Sequence, residues 1–180
     1  MESLKQLTKK YIQKFPQENS AFEVLDFFKI DGCYMRENLD GHFTASAWVL
    51  SPDKNMVLMT HHKKLEMWLQ LGGHADGEED LLKVALCEAI EESGIQKIKI
   101  LSNEIFDLDI HEIPLYKDQP AHKHYDIRFL FETDPKNKII ISDESYDVAW
   151  IPLEKVTKFN SEDSIHRMVK KTLAIKNKIS

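Results

Sequence analysis

The segment LGGHADGEEDLLKVALCEAIEESGI, residues 71–95, constrains the fold more than any other part of the chain. It starts with paired glycines and stops at Gly94, and residues 79–93 between them have helical spacing. Glu88, Glu91 and Glu92 lie at positions i, i+3 and i+4, so they share one face of this helix. The opposite face is predicted to enter the core through four apolar residues, Leu82, Leu86, Ala89 and Ile90.

Three carboxylates on one face repel each other, and Lys83 is the only Lys or Arg in the segment. Two interpretations remain open from the helix alone. The face is either simply solvated, which is common for Glu-rich helices, or neutralised by a cation. Hard divalent cations such as Mg²⁺ take oxygen ligands and keep waters and substrate phosphates around them.

The charge is distributed unevenly along the 180 residues, whose formal net charge is −6. Both ends are basic, and the part between residues 15 and 165 carries about −14. Such a chain is poorly suited to stable nucleic-acid binding and well suited to capturing divalent cations. Cys33 and Cys87 provide neither a disulfide framework nor a CxxC pair. No apolar run approaches a membrane span, and no signal peptide is recognisable, so we expect a cytoplasmic protein without a membrane partner.

The hydrophobic pattern predicts two helices in residues 1–40, the second starting with a capping box of Ser20 and Glu23. Strands are expected from His42, with a hairpin turn at residues 51–55. The chain is then expected to break at Gly72-Gly73. Further extended segments are predicted at 65–71, 97–110, 122–133 and 146–151, and a C-terminal helix from about Ser161.

These elements predict an α+β fold, with an N-terminal helical extension in residues 1–40 and one domain in residues 41–180 that includes the C-terminal helix.

The spacing of the 71–95 segment is also specific. Gly73 is followed by five residues, Glu79, seven residues, and then Cys87-Glu88-Ala89-Ile90-Glu91-Glu92-Ser93-Gly94-Ile95. This resembles the Nudix box, G-x5-E-x7-R-E-U-x-E-E-x-G-U, where U is a bulky aliphatic residue. Each fixed position matches except Cys87, and Ala89 is small for the first U position. The resemblance implies an α/β/α sandwich with a mixed sheet and hydrolysis of a nucleoside diphosphate linked to another group, with Mg²⁺ or Mn²⁺.

The resemblance also implies roles for individual residues. Glu92 would be the principal metal ligand, helped by Glu88 and Glu91, and Glu88 doubles as the base in some members. A backbone carbonyl of the Gly72-Gly73 turn would also face the metal. Such enzymes often supply a further acid from a late loop, which makes Glu144 a candidate catalytic residue.

Cys87 occupies the position of the family's arginine, which pairs with the first glutamate of the box, here Glu79. A cysteine cannot hold a carboxylate through two hydrogen bonds. Glu79 would then either face solvent or find another donor, such as Lys83 one turn on. We therefore expect metal binding to be retained and the catalytic rate to be affected.

Additional segments, HHKKLEMWLQLGGH and HKHYDIRF, resemble one subgroup of the same family. Alternate residues of a strand point the same way, so the second segment presents one polar face made of His122, His124, Asp126 and Arg128. Asp107, Asp109 and His111 alternate likewise. Side by side, the two faces would line a pocket for substrate: Arg128 suits a phosphate, and the histidines suit a phosphate, a base edge or a second metal. A solvated sheet face remains the alternative.

The leading hypothesis is a metal-dependent pyrophosphohydrolase whose partner is a small nucleotide-like diphosphate. One alternative, motivated by Cys87, is a binding or regulatory module with weakened chemistry. Another is an isomerase resembling isopentenyl diphosphate isomerase, which carries a histidine in a loop comparable to that of His74. The N-terminal helices are compatible with a cap over the site or with a homodimer surface.

Overall fold

The computed structural model describes residues 2–115 and 120–179. The chain starts with helix α1, Leu4–Lys14, whose N-terminus is closed by a capping box between Ser3 and Gln6. The Ser3 backbone N–H donates to Gln6 Oε1 over 2.8 Å, which satisfies one of the donors that a helix start leaves open. Leu4 and Tyr11 on the inner face are buried, as their helical spacing predicts.

Helix α2, Ser20–Phe27, confirms the second predicted helix, but the predicted capping box is wrong. The N-cap residue is Asn19, which makes no side-chain cap hydrogen bond, and Ser20 is already helical. The helix is held instead by its apolar face. Phe27 stacks on Tyr125 with ring centroids 3.7 Å apart and nearly parallel planes.

The described residues contain eight strands: β1 His42–Leu50, β2 Met56–His62, β3 Met67–Leu69, β4 Leu71–His74, β5 Lys99–Ile100, β6 Asp107–Ile113, β7 His122–Glu132 and β8 Ser145–Pro152. They form one hydrogen-bonded sheet with the path β3-β2-β1-β7-β5, while β4 pairs with β1, β6 with β7 and β8 with β2. Helix α3, Leu81–Ser93, follows β4 and precedes β5 in the chain, and these elements confirm the α+β class.

The predicted hairpin is present between β1 and β2, with Val49 opposite Leu58. Its turn is organised by Asp53, which accepts hydrogen bonds from the Ser51 hydroxyl over 2.6 Å and from the Asn55 backbone N–H over 3.0 Å. These hydrogen bonds lower the pKa of Asp53 to about 2. The predicted strand at 97–110 is wrong in its middle, because only Lys99–Ile100 and the residues from Asp107 onward are extended.

The described chain divides into two compact units. The first unit comprises residues 1–46, 72–85 and 102–129, and its core includes Phe43, stacked edge-on with Phe27. The second unit comprises residues 47–71, 86–101 and 130–180. There, buried Trp48 donates from Nε1 to Thr172 Oγ1 over 2.9 Å.

The C-terminal part of the second unit is helical, as predicted. A 3-10 turn, Leu153–Lys155, leads into α4, Val156–Phe159, and then α5, Asp163–Ile179. Ile165, Met168 and Thr172 form the buried stripe of α5. Over the described ranges, 2–115 and 120–179, no helix has the length and apolar character needed to cross a membrane.

Candidate active site

The carboxylate-bearing helix α3 is delimited by residues suited to its two ends. At the start, Asp80 accepts the Lys83 backbone N–H on its side chain, over 3.2 Å, and the Val84 N–H on its carbonyl. At the end, Gly94 has φ +70° and its N–H donates to the Ile90 carbonyl over 2.8 Å. A glycine fits this left-handed position because it has no Cβ to strain.

The glutamates of α3 differ in burial, which the sequence did not indicate. Glu91 is exposed, Glu88 is half-buried and Glu92 is only 7% exposed. A buried carboxylate is costly unless a partner or a cation compensates its charge. Burial thus increases from Glu91 to Glu88 to Glu92. Glu92 has the most protein around it, in line with the principal role expected for it.

The predicted core stripe of α3 is partly wrong. Ala89 is fully buried, but Leu82, Leu86 and Ile90 are only half-buried. The burial of the helix is centred about one position away from the predicted stripe. Its buried residues are Leu81, Val84, Ala85, Ala89, Glu92 and Ser93.

Cys87 and Glu79 are both exposed. Of the two alternatives for Glu79, pairing with Lys83 is wrong, because the Lys83 ammonium pairs with Glu78 over 2.6 Å, whereas exposure of Glu79 to solvent agrees with the structure. The hydrogen bond from Lys83 lowers the pKa of Glu78.

The Gly72-Gly73 pair does not break the chain as predicted, because both residues lie within strand β4, Leu71–His74. A Cβ on Gly72 would lie 2.5 Å from Ser46 Oγ and 2.6 Å from the Ala45 carbonyl oxygen. Gly72 is thus required for the close approach of β4 to β1. A metal-facing carbonyl at this position stays a prediction.

The two polar strand faces lie side by side, as expected from their alternation. In the antiparallel pairing of β6 with β7, Asp107 is opposite Arg128, Asp109 opposite Asp126 and His111 opposite His124. The structure thus brings together the polar side chains of all six residues.

Arg128 lies at the centre of a buried ionic network in the first unit. Its Nε donates to Asp126 Oδ2 over 2.7 Å, and its terminal nitrogens lie 3.3 Å from Asp107 and 3.4 Å from Asp109. Burial opposes the charge of Arg128, but the three carboxylates outweigh it and raise its pKa. Thr44 and Ser46 donate to Asp126 Oδ1 over 3.1 and 2.8 Å.

Both Arg128 and Asp126 are 2% exposed. Their hydrogen bonds and ion pairs connect the three strands β1, β6 and β7. The substrate-binding role expected for them stays a prediction.

His122 and His124 lie at the other end of the same strand face. His122 Nδ1 donates to the Pro120 carbonyl over 2.8 Å, and the Nε2 atoms of the two rings are 3.2 Å apart. Burial, followed by neighbouring histidines, lowers the pKa of His124 to about 2. Sequence reasoning missed that His42 and His74 join this group, because their proximity depends on how β1, β4 and β7 pair.

Glu144 lies in the turn before β8, as expected, and is exposed. Its backbone carbonyl accepts the Lys63 N–H over 3.0 Å. Its contribution to catalysis stays a prediction.

Residues 41–172 match the family described as NUDIX domain. A comparison with curated protein sequences gave no match. Solved structures with the same fold include an Ap4A hydrolase from C. elegans, in a binary complex, with a TM-score of 0.57 and 17% sequence identity over 74% of this chain and 96% of that one.

Two further structures extend the comparison. A NUDIX-family hydrolase from Clostridium perfringens has a TM-score of 0.56 and 23% identity over 74% of this chain and 97% of that one. The E. coli dihydroneopterin triphosphate pyrophosphohydrolase has a TM-score of 0.58 and 14% identity over 72% of this chain and 92% of that one. These likenesses confirm the expected α/β/α sandwich fold.

Proposed function

Because the chain belongs to the NUDIX domain family, we propose that it is a metal-dependent hydrolase that cleaves a pyrophosphate bond in a nucleoside-diphosphate-linked small molecule. Family membership makes the chain a Nudix hydrolase. The observation that carries the proposal is the placement of Glu88, Glu91 and Glu92 on α3, at the box spacing, with Glu92 buried.

The donor set of α3 suits a hard divalent cation, Mg²⁺ or Mn²⁺, because its ligand atoms are carboxylate oxygens. We assign Glu92 as principal ligand, with Glu88, Glu91 and the Gly72 carbonyl as helpers. Within the described part of the chain, the three glutamates do not form a triad with donor atoms within 4.8 Å of one another. Mg²⁺ usually needs only one or two carboxylates, with waters and substrate phosphates completing its shell.

When bound, a divalent cation lowers the pKa of the attacking water and offsets charge on the phosphate oxygens. A Glu88 carboxylate oxygen accepts the proton from that water. The water oxygen forms a bond to phosphorus as the bridging P–O bond breaks, and the leaving group departs as a phosphate. Glu144 is the candidate for a second acid at this step. The half-buried position of Glu88 leaves part of its side chain accessible to water, which a general base requires.

We retain His122, His124, Asp126 and Arg128 as candidates for substrate binding. Of these, the half-buried His124 is more accessible than Asp126 and Arg128. The proposed partner is a small nucleotide-like diphosphate, and stable nucleic-acid binding is not expected from the acidic middle of the chain.

The test is release of phosphate or mononucleotide from a panel of nucleoside triphosphates, nucleotide sugars and dinucleoside polyphosphates, with Mg²⁺ or Mn²⁺. We expect Glu92→Gln to lower kcat by at least about 100-fold, because it removes the anionic oxygen donor. Glu154→Gln, an exposed glutamate next to β8, is the matched control and should retain full activity. Equal turnover by the wild type and the Glu92→Gln variant would contradict the proposal.

Exposed Cys87 favours a second candidate function, a Nudix-fold binding module with weakened chemistry. This candidate predicts nucleotide binding with little or no turnover. Isothermal titration calorimetry with the substrate panel, carried out beside the activity assay, distinguishes the binding module from the hydrolase. The isomerase alternative stays a prediction.

A further inference from the structure

Five of the eight histidines of the chain gather in the first unit. The His42 ring lies at the centre of this cluster, with its centroid 5.1 Å from His74, 5.0 Å from His122 and 4.7 Å from His124. His111 completes the group, 5.4 Å from His124. His42 lies on β1, His74 on β4, His111 on β6, and His122 and His124 on β7. Their proximity is therefore produced by the pairing of strands in the sheet.

Three of these rings have the arrangement of a ligand set. One ring nitrogen from each of His42, His74 and His124 lies within 4.8 Å of the others. In the ranges 2–115 and 120–179, no other group of three or more His, Cys, Asp or Glu residues meets this criterion. In a tetrahedral Zn²⁺ site with Zn–N distances of about 2.05 Å, the nitrogen ligands lie about 3.3 Å from one another. Side-chain rotations that move the ring nitrogens by about 1 Å would bring them to this separation.

The burial of His42 is the second, independent observation. Its side chain is fully buried, and neither ring nitrogen meets hydrogen-bond geometry with any atom of the described residues. Burial and the neighbouring His74 and His122 lower the pKa of His42 to about 4, and the nearby Asn38 backbone opposes them only in part. The nitrogens of a buried imidazole normally have hydrogen-bond partners. Since those of His42 have none among the described residues, a bound ligand would supply the missing partner.

His122 is hydrogen-bonded to one member of the triad, His124, and helps to orient its ring. The Pro120 carbonyl can only accept, so His122 Nδ1 carries the proton of the 2.8 Å hydrogen bond between them. In neutral His122, Nε2 is then an acceptor, and His124 Nε2 donates to it over 3.2 Å. This leaves the lone pair of His124 on Nδ1. Ligating histidines commonly have their second ring nitrogen fixed in this way.

We propose that His42, His74 and His124 bind one divalent metal ion of the Zn²⁺ class, which is intermediate between hard and soft in its preference for ligands. Imidazole nitrogen suits Zn²⁺, Co²⁺, Ni²⁺ and Cu²⁺, whereas Mg²⁺ prefers oxygen. The site is therefore different in chemistry from the carboxylates of α3 and goes beyond the proposed function. Three protein ligands leave a fourth position for water or for an oxygen of a bound molecule.

The test is metal binding by the untagged full chain, which is first stripped with a chelator, then given excess Zn²⁺ and dialysed to remove the unbound metal. We expect one Zn²⁺ per chain by elemental analysis, and Co²⁺ titration should give the intense visible absorption of a tetrahedral ion. His42→Gln and His124→Gln should each weaken Zn²⁺ binding by about 100-fold or more, since even loss of an outer partner costs about 10–100-fold. Circular dichroism of both variants checks that they fold, and two substitutions at different strands guard against failure of one.

His166→Gln is the matched control, because His166 is exposed on α5. It should bind Zn²⁺ as the wild type does. Glu92→Gln should also keep this site, which separates failure of this inference from failure of the proposed function. The inference is overturned if the wild type binds no stoichiometric Zn²⁺. It is equally overturned if folded His42→Gln and His124→Gln variants retain full affinity, or if His166→Gln loses as much.

Discussion

Arg128 and Asp126, two residues apart on β7, are joined by a hydrogen bond of 2.7 Å from Arg128 Nε to Asp126 Oδ2, and both side chains are almost fully buried. Asp107 and Asp109 on β6 bring two further carboxylates to the same guanidinium. The single positive charge of Arg128 thus compensates three carboxylates. Removing the cation would leave the acids uncompensated in a site with little water.

We expect Arg128→Met to lower the free energy of unfolding by about 3–5 kcal/mol, as for loss of one partner from a buried ion pair. Urea denaturation measures the change. Arg36→Met is the matched control. It breaks an exposed ion pair with Asp76 and should cost no more than about 1 kcal/mol. Equal stability of the two variants, with a raised KM in Arg128→Met, would instead support substrate binding by Arg128.

Cys87→Arg restores the residue that the Nudix box carries at this position. Since Cys87 and Glu79 are exposed, the substitution should fold normally. We expect a rise in kcat of about tenfold, on the order of 1.4 kcal/mol of transition-state stabilisation, if Glu79 then pairs with the new guanidinium. The measurement is steady-state turnover with Cys87→Lys as control, which adds charge without a bidentate donor. An unchanged kcat would show that the site functions without this pair.

Gly94→Ala should destabilise the end of α3 for two separate reasons. The residue has φ +70°, and a new Cβ would lie 2.6 Å from Ile140 Cβ. Gly32→Ala isolates the first reason, because Gly32 has φ +71° but nothing within 4 Å of its Cβ position. We expect a loss of about 1 kcal/mol for Gly32→Ala and a clearly larger one for Gly94→Ala. Thermal unfolding of both variants measures the difference, and equal losses would rule out the steric contribution.

The β1–β2 turn should add an acid-sensitive contribution to stability. Hydrogen bonds from Ser51 and Asn55 lower the pKa of Asp53 from 3.8 to about 2. Because the folded-state pKa is the lower one, the contribution is fully present above pH 4 and is lost as pH falls from 4 to 2. We expect the stability of Asp53→Ala to fall less steeply over this range than that of the wild type. Asp31→Ala, at an exposed position, should follow the wild type.

Local patterns determined much of this fold. The spacing from Gly73 to Gly94 predicted α3, and the SPDKN turn predicted the β1–β2 hairpin, because both signals depend on residues close in sequence. The alternation in 107–111 and 122–128 also predicted two polar faces, and these lie side by side. The capping box at Ser20 was wrong, because α2 begins after Asn19 and Ser20 is already helical. The chain break at Gly72-Gly73 was wrong, because the pair lies in β4, where Gly72 allows the close approach to β1.

The sequence by itself determined which side chains share a face of one helix or one strand. Only the tertiary structure decided what each face meets, because pairing and packing join segments that are far apart along the chain. Burial of Glu92 distinguishes it from Glu88 and Glu91, which the spacing treats alike. Arg128 meets Asp107 and Asp109 through the register of β6 with β7. His42, His74 and His124 meet because three strands of one sheet bring their ends together.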